Sequence, residues 1–207
     1  MTPAILMPRR TLLDVALPAR TRVTDLLLIL AGSGLVALSA RLTIPLPWVP
    51  ITAQTYALLV VSALLGGRRG ALALVAYLAE GLAGLPVFAY GHSAWTLSSA
   101  GVPTISGPTA GYLVSYPLVA AVVGTLAERG WDRTFWRASA TMAVGEVLIY
   151  LVALPWLAHV VGPAHAVQVG LLPFVGGDTV KLVLAAVTLP LGWRILRLCQ
   201  VNDGQRG

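Results

Sequence analysis

The sequence predicts an all-α integral membrane protein, a bundle of six transmembrane helices with both termini in the cytosol. Three observations predict it. Of 207 residues, 57% are hydrophobic and only 11% charged, with a mean hydropathy of +0.81. A soluble domain carries about 25% charged residues, so this much apolar surface calls for a bilayer. The hydrophobic residues fall into six runs. Twelve of the fourteen basic residues lie between alternate runs, on one side.

The first 23 residues read as a basic cytosolic leader. Arg9 and Arg10 ahead of an apolar stretch resemble a signal peptide, including the twin-arginine type. The further spans favour a first transmembrane helix instead. The membrane domain covers residues 24–198, with spans at 24–42, 54–65, 70–84, 108–127, 135–161 and 178–198; residues 199–207 form a cytosolic tail. A full crossing needs ~20 residues, so the second run is short and has an irregular end or lies deep in the bundle.

Charge sets the orientation. Arg9, Arg10, Arg20 and Arg22 precede span one; Arg68 and Arg69 follow span two. Arg129, Arg133 and Arg137 join spans four and five, and Arg194, Arg197 and Arg206 end the chain. Loops 43–53, 85–107 and 162–177 contain no Lys, Arg, Asp or Glu. This partition gives N-in, C-in topology by the positive-inside rule and a multi-pass protein of the cell membrane. It also accounts for the net charge of +6. With no basic face carrying stacking aromatics, nucleic acid is not an expected partner; lipid is.

The uncharged loops differ in character. The prolines of Ile44-Pro-Leu-Pro and Trp48-Val-Pro-Ile51 exclude ordinary helix. Residues 85–107 are long and rich in Gly, Pro, Ser, Thr and aromatics, which fits either a lid over an outward pocket or a solvated loop. On span one, Ser33 and Ala37 at i, i+4 allow two helix backbones to approach closely. Packing within the chain and docking of another subunit both use that device.

Five ionisable groups lie in or beside spans, where each needs a reason. Arg41 is ~26 Å along span one and can snorkel to the outer surface. Glu80 is ~16 Å past Arg69 and Glu146 ~14 Å past Arg137; both read as structural more readily than as ligand contacts. Glu146 shares a helix face with Tyr150. Asp178 and Lys181, at i, i+3, also share a face, and Lys181 lies ~20 Å from Arg194. One reading is an N-cap Asp after Gly176 and Gly177, ion-paired to the lysine. The other is a solute site, because a lysine at a helix N-terminus suits an anion and Asp178 accepts from N–H donors. The chemistry favours the solute site.

Machinery for catalysis is missing. There is no P-loop motif and no H-E-x-x-H, and His92, His159 and His165 lack metal-ligand spacing. Neither a metal nor a cofactor is expected. Cys199, the lone cysteine, permits no internal disulfide. Gly91-His-Ser93 is the one stretch that admits an intramembrane hydrolase, and it lacks a nucleophile turn.

Ordered stretches carry a resemblance. They are Ile44-Pro-Leu-Pro, Val49-Pro-Ile-Thr-Ala-Gln-Thr55, Leu64-Leu-Gly-Gly-Arg-Arg-Gly-Ala71 and Tyr77-Leu-Ala-Glu-Gly81. They continue with Gly84-Leu-Pro-Val-Phe-Ala89, Gly107-Pro-Thr-Ala-Gly-Tyr-Leu113, Ile149-Tyr-Leu151 with Trp156-Leu157, and Leu172-Pro-Phe-Val-Gly-Gly-Asp-Thr-Val-Lys181. Over about residues 30–195 the chain resembles the biotin-specific substrate-binding (S) component of energy-coupling factor transporters, the BioY family. The resemblance implies a non-enzymatic subunit that captures biotin from outside. It also implies a transmembrane coupling subunit and ATPase subunits as partners, although some members transport without them, alone or with copies of themselves. It makes Asp178 and Lys181 ligand contacts. Gln54 and Tyr150 would add polar contacts, and Tyr112 or Trp95 would cover the thiophane ring. It gives Ser33 and Ala37 the docking of the coupling subunit. The chain departs from the family at Tyr90-Gly-His-Ser-Ala-Trp-Thr96, where a Gly-rich stretch is usual, at Ala110 for Gly, and at Arg41, where Gln is common. A vitamin other than biotin is the alternative ligand.

Overall fold

A computed structural model describes residues 10–19 and 21–204. Arg9, Arg20 and Arg206, part of the charge partition, lie outside the described residues. The described residues form eight α-helices and one two-stranded hairpin.

The segment read as a leader contains α1 (Leu12–Ala16). It has a full capping box: the Thr11 side chain accepts from Asp14 N, and the Asp14 carboxylate accepts from Thr11 N at 2.9 Å. Thr11 is fully buried and Leu13 packs on the core, so α1 is docked against the bundle.

Helix α2 (Arg22–Ser39) starts at the N-cap Thr21 and leads into the hairpin β1 (Thr43–Ile44) and β2 (Ile51–Thr52). Thr43 pairs with Thr52 and Ile44 with Ile51, so the proline-rich stretch closes on itself. Helix α3 (Gln54–Leu65) coincides with the second run. Its 12 residues rise only ~18 Å. At Gly66 the chain turns with φ +85° into α4 (Gly67–Leu82). A side chain at Gly66 would be strained and would meet Glu128 and Thr11. Glu128 closes α5 (Ala110–Glu128) and accepts from Gly67 N at 2.9 Å, placing an anion at the positive end of α4.

Helices α6 (Phe135–Val161) and α8 (Val175–Gly204) are the longest. Between them lies α7 (Pro163–Gly170), where the sequence predicts a loop. The proline at N1 has no N–H to leave unsatisfied, which favours a helix start there. Helix α8 begins three residues before the expected start, so Asp178 lies within its first turn and is not the N-cap.

Length and composition qualify four helices to cross a membrane: α2, α5, α6 and α8. Helix α5 is the most enclosed of these, packed against α3, α4 and α6. The outward faces of α2, α6 and α8 carry Leu26, Leu30, Leu38, Leu151, Leu184 and Leu191, all exposed. Apolar side chains thus lie on both sides of these helices, as a bilayer requires and water would not tolerate.

Residues 85–107 are folded down onto the bundle. Ala94 N donates to Gly81 O at 3.0 Å and Ile105 N to Ala94 O at 3.1 Å, while Phe88 and Ala94 are buried. Trp156 Nε1 pins the far end through Gly107 O at 2.9 Å. Arg41 reaches the near end, donating to Pro86 O at 2.5 Å.

Candidate solute-binding site

The end of the bundle bearing the uncharged loops encloses a cavity of about 310 Å³. Ligand sites run from ~300 to 1,000 Å³, so this one suits a small solute. Helices α3, α5, α6 and α8 form its walls, and segments near Trp48, Tyr90 and Thr104 form its roof. Tyr90 holds φ +59°, the one positive φ among described non-glycine residues, next to Gly91 in the tight turn that carries it.

The polar centre lies at the start of α8. Lys181 Nζ donates to Asp178 Oδ1 at 2.9 Å, and the Tyr150 hydroxyl donates to Asp178 Oδ2. Asp178 is 7% exposed. The i, i+3 spacing brings the two α8 charges together, and α6 supplies the tyrosine. Two further N–H groups of the ammonium remain for a ligand acceptor.

Aromatic rings surround this centre. Tyr112 lies edge-on to Tyr150, ring centroids 6.3 Å apart, and 6.3 Å from Phe174. Its hydroxyl donates to Gly170 O at 2.6 Å, which ties α5 to the end of α7 and leaves the ring face to the cavity. Gln54 also lines the cavity, but its amide is engaged: Nε2 donates to Tyr77 Oη at 2.5 Å and Oε1 accepts from Thr52 at 3.0 Å. Gln54 therefore ties the start of α3 to α4 as well as facing the ligand space.

The structure brings Asp178, Lys181, Gln54, Tyr150 and Tyr112 together around one space. Trp95 is not in that wall. Its ring is 60% exposed and its indole N–H donates to Leu82 O at 2.9 Å, because the folded 85–107 segment turns it away. The nearby aromatics Trp48 and Tyr90 do line the cavity.

Ser33 and Ala37 are not on the free face of α2. Ser33 is fully buried and donates to Glu80 Oε2 at 2.7 Å; Ala37 packs on the core. Their small size serves packing within the chain, and Glu80 finds its partner there. The exposed small residues of α2 are Ala31 and Gly34.

Sequence reasoning favours a structural role for Glu146 over a ligand contact and leaves both open. It lines the cavity and is 7% exposed. Its place one turn before Tyr150 is the available signal, but spacing alone does not say which way a face turns. Ser93 is engaged with Thr96. Among the described residues no three His, Cys, Asp or Glu side chains gather as a metal site.

Comparison with known proteins bears on the family and the fold. The BioY family model matches residues 10–198. A biotin transporter BioY from Thermotoga maritima is 36% identical over 163 residues, 77% of this chain and 91% of its own. A probable biotin transporter BioY from Pyrococcus horikoshii is 32% identical, over 74% of this chain and 86% of its own. A solved S-component for biotin from an ECF-type ABC transporter shares the fold, with a TM-score of 0.69 at 24% identity over 88% of this chain and 95% of its own. With nearly its whole length matched by one family model, the chain belongs to the BioY family.

Proposed function

We propose that this chain is the membrane subunit that captures biotin from outside and mediates its uptake. The observation that carries the reading is the Asp178–Lys181–Tyr150 cluster at the wall of an aromatic, small-solute cavity. Biotin offers matching groups: ureido N–H donors, a ureido oxygen and a carboxylate as acceptors, and an apolar ring. The acceptors suit Lys181, the donors suit Asp178, and Tyr112 and Tyr150 enclose the ring. Gln54 adds the remaining proton of its amide.

The six-span, N-in/C-in arrangement puts the cavity on the outer side. It is supported by the uncharged loops at the cavity end and by the Arg-rich opposite end. No P-loop motif occurs in the sequence. Coupling of uptake through a transmembrane subunit and ATPases is supported by the fold shared with an S-component of an ECF-type ABC transporter. The Ala31 and Gly34 side of α2 offers close backbone approach for such a subunit.

Equilibrium dialysis of the purified full chain in detergent against labelled biotin tests the reading. Saturable, stoichiometric binding is expected. No binding at micromolar biotin sinks it, and preference for another vitamin in a competition panel reassigns the ligand.

A further inference from the structure

Glu146 is the cavity acid that the biotin contacts named so far leave unused. It lies on α6 one turn before Tyr150, and among the described residues neither of its carboxyl oxygens has a hydrogen-bond partner. The other acid, Tyr112 and Gln54 are occupied by protein, whereas the Thr55 hydroxyl, also in the lining, is buried without a partner among the described residues. Asp178 accepts from Lys181 and Tyr150, the Tyr112 hydroxyl is given to Gly170 O, and Gln54 bonds Thr52 and Tyr77. Buried polar groups are nearly always hydrogen-bonded, and an exception calls for an explanation. An unpartnered carboxyl inside a helix bundle is an expensive exception, and its position in the wall of a ligand cavity supplies the reason for it.

We infer that Glu146 is a ligand contact: its carboxyl accepts a hydrogen bond from an N–H of the captured solute and selects for solutes that carry such a donor. The inference deepens the biotin reading and rests on it. The cavity is chemically divided. Lys181 is the only Lys or Arg in its described lining, so the acceptor groups of a solute are drawn there. Glu146 has acceptor capacity and no donor supplied by the protein, so it can receive an N–H of the solute. A cyclic urea presents such a donor together with a carbonyl acceptor. The two groups thus read opposite parts of one heterocycle.

The test uses the full chain in detergent, as wild type, Glu146→Gln and Glu146→Leu. The ligands are biotin and two analogues, each methylated on one ureido nitrogen, titrated by calorimetry. In the wild type, methylation of the contacted nitrogen weakens binding. Glu146→Leu is expected to weaken biotin ~10-fold, the loss of one buried hydrogen bond, and to shrink the preference for biotin over that analogue. Glu146→Gln keeps the shape and one acceptor oxygen and loses ~3–10-fold; it decides the matter if the leucine variant does not fold. Wild-type affinity in the variants, or equal weakening of biotin and both analogues, overturns the inference and makes Glu146 a structural acid. If the wild type itself fails to bind biotin, the parent reading falls and this one with it.

Discussion

Asp178 shows how much one residue's role depends on its partners. Its carboxylate takes an ammonium on one oxygen and a phenol on the other, and each oxygen keeps a lone pair for a further donor. Removing either charge leaves the other unbalanced in a site shielded from water. Asp178→Asn and Lys181→Ala are each expected to weaken biotin binding ~10–100-fold while the protein still elutes as a folded species. Unchanged dialysis affinity in both would remove them from the site. A second acid matters for stability. Asp132, in the turn between α5 and α6, is fully buried and accepts from Trp193 Nε1 at 2.7 Å, with the Arg133 guanidinium 4.6 Å over that indole. Desolvation raises its pKa to about 6, against the opposing pull of the Trp193 bond and Arg133. The folded protein therefore holds this proton more tightly than the unfolded chain. The resulting stability is fully present below pH ~4 and is lost as pH rises through about 6, with an upper bound of about 3 kcal/mol. Asp132→Asn keeps an acceptor for Trp193 and abolishes the titration. Its Tm should exceed the wild type's by several degrees at pH ~7.5 and should vary less between pH ~4 and ~6. An unchanged slope would place the titration elsewhere.

At the scale of elements, one arginine joins three helices at the end away from the cavity. Arg69 on α4 donates to Asp14 of α1 at 2.5 Å, to Asp25 of α2 at 3.1 Å and to Leu65 O of α3 at 2.9 Å. Burial alone raises the Asp14 pKa, but the bonds from Arg69 and Thr11 outweigh it and hold the group below its ordinary value. Its contribution is present above the unfolded carboxylate pKa and is lost as pH falls through the folded one. Arg69→Met removes the ion pairs to both carboxylates and is expected to cost about 1–3 kcal/mol, less than a fully buried pair because these side chains are partly exposed. A lowered Tm in detergent, with proteolysis near residues 17–21, would report the release of α1. A wild-type melting curve would show that α1 is held without the Arg69 pairs.

The whole molecule is polarised from end to end. The cavity and the folded 85–107 segment occupy the uncharged end, and the Arg69 network and Asp132 occupy the other. Only one of these ends can meet an external solute. With Cys199 as the sole native cysteine, a membrane-impermeant maleimide applied to intact cells should leave the wild type unlabelled until the membrane is permeabilised. Ala100→Cys, exposed in the 85–107 segment, should label at once. The reverse pattern would invert the topology and, with it, the direction from which the cavity is filled.

The sequence alone determined the helical character, the alternation of charge between loops, and the nearness of Asp178 and Lys181. These are local properties: run length, composition and a three-residue spacing on one helix. The ordered motifs also carried the family. Tertiary structure decided which way each helix face turns. Apolar residues cover the lipid side and the core side alike, so hydrophobic periodicity does not mark the inward face of such a helix. Ser33 and Ala37 accordingly read as a docking stripe until α2 was packed against α4, where Ser33 meets Glu80. Trp95 read as a cavity residue until the 85–107 segment folded and fixed its indole to Leu82. For Glu146 the sequence favoured a structural role without excluding a ligand contact, and only the packing of α6 against α5 and α8 placed it in the same cavity wall as Asp178 and Lys181. Contacts between residues distant in the chain set each of these orientations, and no local pattern encodes them.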